Sequence, residues 1–120
     1  MLTYKNCFRP VVLAAAMALG SVLAVADDCG EVPAAPEIID GATATMEALV
    51  ANSEEVKAYI AAADGYLDCR EAIAKSDDFK DLPAAEQQAQ IAANAQVLET
   101  RNKIGDDFNA EVGAYKAANP

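Results

Sequence analysis

The chain is 120 residues long, contains no histidine and no tryptophan, and carries 19 acidic side chains against 9 basic ones, a formal charge of −10. That inventory excludes a Ser–His or Cys–His nucleophile and a zinc centre of the Cys–His type. The acidity argues against nucleic acid and anionic lipid as partners, since both recruit basic surfaces.

Residues 1–26 read as a secretory signal peptide. Lys5 and Arg9 make a positive start, Val11 to Val25 is an uncharged apolar run, and Ala24 and Ala26 put small residues at the two positions a signal peptidase reads. The run is about 15 residues, short of the roughly 20 that a bilayer span needs. Export to the periplasm or the extracellular space is therefore expected, with cleavage after Ala26 and no stable membrane anchor afterwards. Cys29 lies two residues too late to be the lipid-bearing cysteine of a lipoprotein. Removing Lys5 and Arg9 from the 9 basic residues leaves 7 against 19, or −12.

Cys7 would leave with the signal, so Cys29 and Cys69 remain and are expected to pair in an oxidising compartment. In the chain-entropy picture, closing a loop of this length is worth about 4 kcal/mol. A redox role would call for a close-spaced Cys-x-x-Cys pair, and the sequence has none.

Residues 27–42 hold Pro33, Pro36 and the Asp40-Gly41 pair, so an extended segment ending in a turn is expected. The helical domain then covers residues 43–118. Met46, Leu49, Val56, Ile60, Ala63 and Leu67 fall at three- and four-residue steps, with Ser53 as a polar interruption. Tyr59, Tyr66 and Ile73 widen that stripe on one flank. Thr43 or Thr45 is placed to cap the start, and Glu47 suits the helix dipole. Because the spacing keeps phase across Asp64-Gly65, the helix is expected to continue to about Ser76.

Residues 77–81 read as a polar turn, and Leu82-Pro83 restarts the chain. From there to about Ala118, the residues Ile91, Ala95, Leu98, Gly105, Phe108, Val112 and Tyr115 trace a second stripe. Arg101 lies on its line, its head expected to reach solvent. The fold class is thus all-α: a long antiparallel two-helix hairpin of coiled-coil type, with an extended N-terminal segment pinned by one disulfide. Pairing Leu82 with Phe79 near the turn places Gly105 opposite Val56 and Phe108 opposite Ser53. On that register Gly105 is a tight contact, and an added methyl overpacks it. The N-terminal segment is long enough to run back along the hairpin. Ile38 and Ile39 are expected to be partly buried against the Tyr66 flank.

Several of these stretches resemble a group of small, exported proteobacterial proteins of uncharacterised activity. The likeness is carried by Cys29 and the Pro-containing stretch, by the run Asp40-Gly41-Ala42-Thr43-Ala44-Thr45 with Met46, and by Val56-Lys57-Ala58-Tyr59. Tyr66-Leu67-x-Cys69, Phe108-Asn109-x-x-Val112 and Tyr115-Lys116 extend it over most of the mature chain. Arg70 departs from the group's pattern, in which an apolar residue follows the cysteine. The resemblance implies an exported helical protein and carries no activity.

The remaining chemistry is sparse, and no catalytic or cofactor-binding residue is assigned. The mature serines are Ser53 and Ser76 alone. Asp27-Asp28, Asp77-Asp78 with Asp81, and Asp106-Asp107 could attract Ca²⁺, yet none has the spaced Asp pattern with a distal Glu, so no metal ligand is assigned. The aromatic line of Tyr59, Tyr66 and Tyr115 reads as core packing. The expectation is a non-enzymatic protein with an interaction or structural role in the cell envelope, chaperone-like in one version, acting on an unknown protein partner. The alternative is a small-molecule or divalent-cation binder using the acidic face or a groove beneath the N-terminal segment.

Overall fold

The computed structural model describes residues 29–120, so the expected signal peptide at 1–26 and the Asp27-Asp28 pair lie outside the described residues. Helix α1 runs over Met46–Ala74, a single turn α2 over Asp77–Lys80, and α3 over Ala84–Ala118. The described residues include no strand. Thr45 caps α1, its hydroxyl oxygen accepting from the Ala48 N–H at 3.2 Å, and Glu47 sits in the first turn where the helix dipole favours a carboxylate. The helix passes through Asp64-Gly65 without a break, as its apolar phase requires.

Residues 77–81 are more than a polar turn. Ser76 caps α2 by accepting from the Phe79 N–H at 3.2 Å, while its own hydroxyl donates to the Ile73 carbonyl at 2.6 Å. This winding drives Phe79 into a buried position beneath the hairpin end. Pro83 stands immediately before the first helical residue of α3, and the Gln87 amide closes the connection by donating to the carbonyls of Leu82 (2.9 Å) and Lys80 (3.1 Å).

The two long helices pack antiparallel. Their register is one turn away from the expected one: Gly105 faces Ile60 rather than Val56, and Arg101 faces Asp64. The cause is the wound connection. The chain spends residues 77–80 on a helical turn, and the start of α3, through Gln87, closes over that turn.

The buried side chains of α1 are Leu49, Asn52, Val56, Tyr59, Ala63 and Arg70, an unbroken alternation of three- and four-residue steps once half-buried Tyr66 is included. On α3 the half-buried positions include Gln87, Gln90, Asn94, Val97, Arg101, Ile104, Phe108, Glu111 and Tyr115, with the same periodicity. This is the 3.5-residue spacing of a coiled-coil seam. It differs from the sequence-based stripes, because Asn52, Arg70, Gln90 and Asn94 occupy seam positions while Met46, Ile91 and Leu98 are exposed. The apolar core is correspondingly thin: Leu49, Val56, Tyr59, Ala63 and Phe79 are its buried members. Full burial of a large apolar side chain contributes about 1.5–3 kcal/mol, so a core this small benefits from a covalent staple.

Cys29 and Cys69 form that staple, with their Cα atoms 5.6 Å apart. From there residues 30–41 run as an irregular strap along one edge of the hairpin to the start of α1. Asp40 closes a turn by accepting from Ala44 (3.0 Å) and Thr43 (3.3 Å), with its carboxylate taking the Ala42 N–H at 3.0 Å. Ile38 and Ile39 are half-buried, as expected. Their anchor is Asn52, four turns nearer the helix start than Tyr66 but on the same line of the helix surface. Gly41 packs so close to α3 that a Cβ there would fall 1.8 Å from the Glu111 carbonyl oxygen, and its N–H donates to the Glu111 carboxylate at 2.7 Å.

Candidate functional site

The strap divides the hairpin into two unlike sides. On the strapped side Val32 and Pro33 lie over Tyr59 of α1 and Ala93, Gln96, Val97 and Thr100 of α3, enclosing a hollow of about 310 Å³. This is the groove beneath the N-terminal segment that the sequence suggested. Its walls are mainly apolar.

The opposite side carries no strap. On α1 the seven-residue line Met46, Ser53, Ile60 and Leu67 borders it, and on α3 the line Ile91, Leu98, Gly105 and Val112. In the observed register these lines meet where Ile60 and Leu67 lie. Ile60 approaches Gly105, its Cδ1 3.8 Å from where a Cβ would stand, and Leu67 shares a shallow recess with Ala95 and Leu98. Ile91 remains 55% exposed, Met46 53% and Leu98 47%. Part of the apolar periodicity in the sequence, Ile60 and Leu67 on α1 with Ile91 and Leu98 on α3, therefore maps onto a half-open groove, while Leu49, Val56 and Ala63 line the buried seam.

Carboxylates border this groove. Arg101 crosses from α3 to grip Asp64 in a two-pronged pair, Nε to Oδ1 at 2.8 Å and Nη2 to Oδ2 at 3.0 Å, instead of reaching into solvent. The hydrogen bond from Arg101, reinforced by its charge and opposed by desolvation, holds the Asp64 carboxyl below the usual range. The same bond raises the guanidinium further. Lys103 pairs with Asp107 one turn along. Among the described residues Asp68, Glu99 and Asp106 border the groove without an ion pair.

Arg70 lies at the turn end of the seam, 8% exposed, donating through Nε to Asn94 Oδ1 at 3.1 Å and through Nη2 to Gln90 Oε1 at 2.8 Å. Gln90 and Asn94 turn inward to meet it, leaving their neighbours Ile91 and Ala95 outside. A buried guanidinium needs oxygen acceptors, and these amides supply them. Beyond it Ile73, Phe79 and Leu82 line a second recess of about 510 Å³ at the hairpin tip.

No group of three or more cysteine or carboxylate side chains among the described residues is placed to hold a metal ion, and Asp77-Asp78 with Asp81 and Asp106-Asp107 are no exception. No described helix is long and apolar enough to cross a membrane. No protein family, curated protein sequence or solved structure matches this chain.

Proposed function

We propose that the protein is a non-enzymatic, exported helical protein of the periplasm or extracellular space with an interaction role in the cell envelope, and that the strap-free groove is its contact surface. The observation that carries this reading is the placement of Ile91 and Leu98. Two large aliphatic side chains on one α3 line stay about half exposed, Leu98 beside Leu67 and a carboxylate border, in a protein whose core is small. A contiguous apolar surface with a polar border is the usual mark of a protein contact site. A chaperone-like role, holding exposed apolar segments of other envelope proteins, is one form of the same reading. Export is supported by the signal-like residues 1–26 and by a disulfide of the kind that persists in oxidising compartments.

The test is affinity capture from the exported fraction with unchanged protein and with an Ile91→Asp/Leu98→Asp variant. Loss of the captured partners with the variant supports the groove as the contact surface. Unchanged capture removes that assignment.

The hollow under Val32 and Pro33 favours the second reading, a small-molecule binder, because about 310 Å³ lies at the lower end of ligand-pocket volumes. A melting scan against common metabolites and divalent ions separates the two, since a ligand bound there raises Tm and an interaction protein shows no such shift.

A further inference from the structure

We infer that the strap-free groove takes a cationic amphipathic helix, which lies along it as a third helix; this rests on the interaction reading above. Three features of the groove select that occupant. Its shape is two parallel rows of side chains on neighbouring helices, the relief into which a helix seats a ridge of its own. From Ile91 to Val112 the row is about 32 Å long, the length of a helix of about 20 residues.

The backbone chemistry also favours a helix over an extended chain. The strap, which is extended, needs the Asn52 amide to satisfy its backbone at Ile39 and Glu37. In the strap-free groove the nearby Asn94 and Asn102 already accept from Arg70 and Arg101. A helix satisfies its own backbone and needs no such amide.

Charge sets the sign of the occupant. Arg101 and Lys103 are neutralised by Asp64 and Asp107, so Asp68, Glu99 and Asp106 leave the border negative. A second copy of the exported chain would bring 7 basic against 19 acidic residues, −12, to the same carboxylates and be repelled. Lysine-bearing flanks on a helix would meet these carboxylates while its apolar face covers Leu67, Ile91 and Leu98.

The probe is a synthetic peptide of about 20 residues with Leu at helical three- and four-residue spacing and Lys elsewhere. The expected result is a gain of peptide helicity on mixing, binding that weakens with salt, and at least tenfold weaker binding of a scrambled Leu/Lys peptide. An Asp68→Lys/Glu99→Lys variant is expected to bind about tenfold more weakly. On the unchanged protein, amide shift changes at Leu67, Ala95 and Leu98 without changes at Ala93 and Thr100 would place the peptide without recourse to any variant. Equal binding of the scrambled peptide reduces the attraction to bulk charge and overturns the inference. Equal binding of an amphipathic Leu/Glu peptide also overturns it, while leaving the groove as a contact surface. Binding of neither amphipathic peptide overturns the inference, and the interaction reading falls with it only if the aspartate variants also leave capture unchanged.

Discussion

The Asn52 side chain treats the strap backbone at Ile39 as a neighbouring β-strand would. Its Oδ1 accepts from the Ile39 N–H at 3.2 Å, and its Nδ2 donates to the Glu37 carbonyl at 2.8 Å, bracketing Ile38 from one side. Asn52 is 2% exposed, so water cannot easily replace these bonds. Asn52→Ala is expected to destabilise by about 1–3 kcal/mol, the usual cost of stranding buried polar groups. Hydrogen exchange at Ile39 should accelerate while helical circular dichroism holds. A denaturation midpoint unchanged from the parent would show that the strap is not anchored here.

Gly41 and Gly105 are expected to respond to alanine with opposite signs. At Gly41 the new methyl would strike the Glu111 backbone, which cannot swing aside like a side-chain tip, so the strap must lift from α3. A loss of roughly 1–3 kcal/mol is expected, as for other overpacked contacts. At Gly105 the nearest atom to the new Cβ is Ile60 Cδ1 at 3.8 Å, an ordinary contact. The tight fit expected from the sequence is therefore absent, and relief of glycine's backbone entropy dominates. Gly105→Ala should stabilise by about 0.5–1 kcal/mol in denaturant titration.

Reduction of Cys29–Cys69 should separate the strap's two attachments. The disulfide closes a loop with a sequence separation of 40, and its loss is expected to cost up to about 4 kcal/mol. The Asn52 and Glu111 contacts hold the far end without it. Amides at residues 31–35 should then exchange faster on reduction while Ile39 keeps its protection. Simultaneous loss of protection at Ile39 would mean that the strap comes away as one unit.

The Asp64–Arg101 pair has a defined pH signature. Because the Arg101 hydrogen bond depresses the folded-state pKa of Asp64, the pairing adds stability above the unfolded pKa of about 4 and loses it as pH falls through the lower folded value. Carboxyl-carbon NMR of Asp64 should show a midpoint below the ordinary aspartate value. Arg101→Gln should return that midpoint upward. An Asp64 midpoint indifferent to this substitution would place the guanidinium elsewhere.

The sequence made the hairpin, the strap and the staple legible, because each rests on a strong local signal: periodicity over α1 and α3, Pro33 and Pro36, and the two cysteines, Cys29 and Cys69, that follow the signal-like residues 1–26. It concealed which residues form the seam. Periodicity scores apolar residues, so Asn52, Arg70, Gln90 and Asn94 were invisible as interior positions, and the stripe settled on Ile91 and Leu98 at the seam's edge. Asn52 stands beside the polar interruption at Ser53 and carries no apolar signal. Its pairing with a strap 13 residues away is a tertiary fact with no spacing of its own. The register slipped by one turn because the connection over residues 77–81 reads as polar, although Phe79 winds it into a helical turn. The groove was legible as composition and misread as interior.

That misreading can be tested with two leucines of similar sequence prominence. Leu49 is buried on the α1 seam at 7% exposure, whereas Leu98 on α3 is 47% exposed. If both were interior, as the sequence stripes implied, alanine at either would cost a similar amount. In the observed packing Leu49→Ala loses nearly all of its apolar burial and leaves a cavity, so a loss of about 2–3 kcal/mol is expected. Leu98→Ala removes a side chain that already meets water on one side. Alanine is also the better helix former there, and a change within about 1 kcal/mol is expected. Chemical denaturation of the two variants against the parent measures the difference directly. Comparable losses at both sites would mean that Leu98 is covered in solution, either by closure of the hairpin over the groove or by self-association, and the dependence of the Leu98→Ala effect on protein concentration would tell these apart.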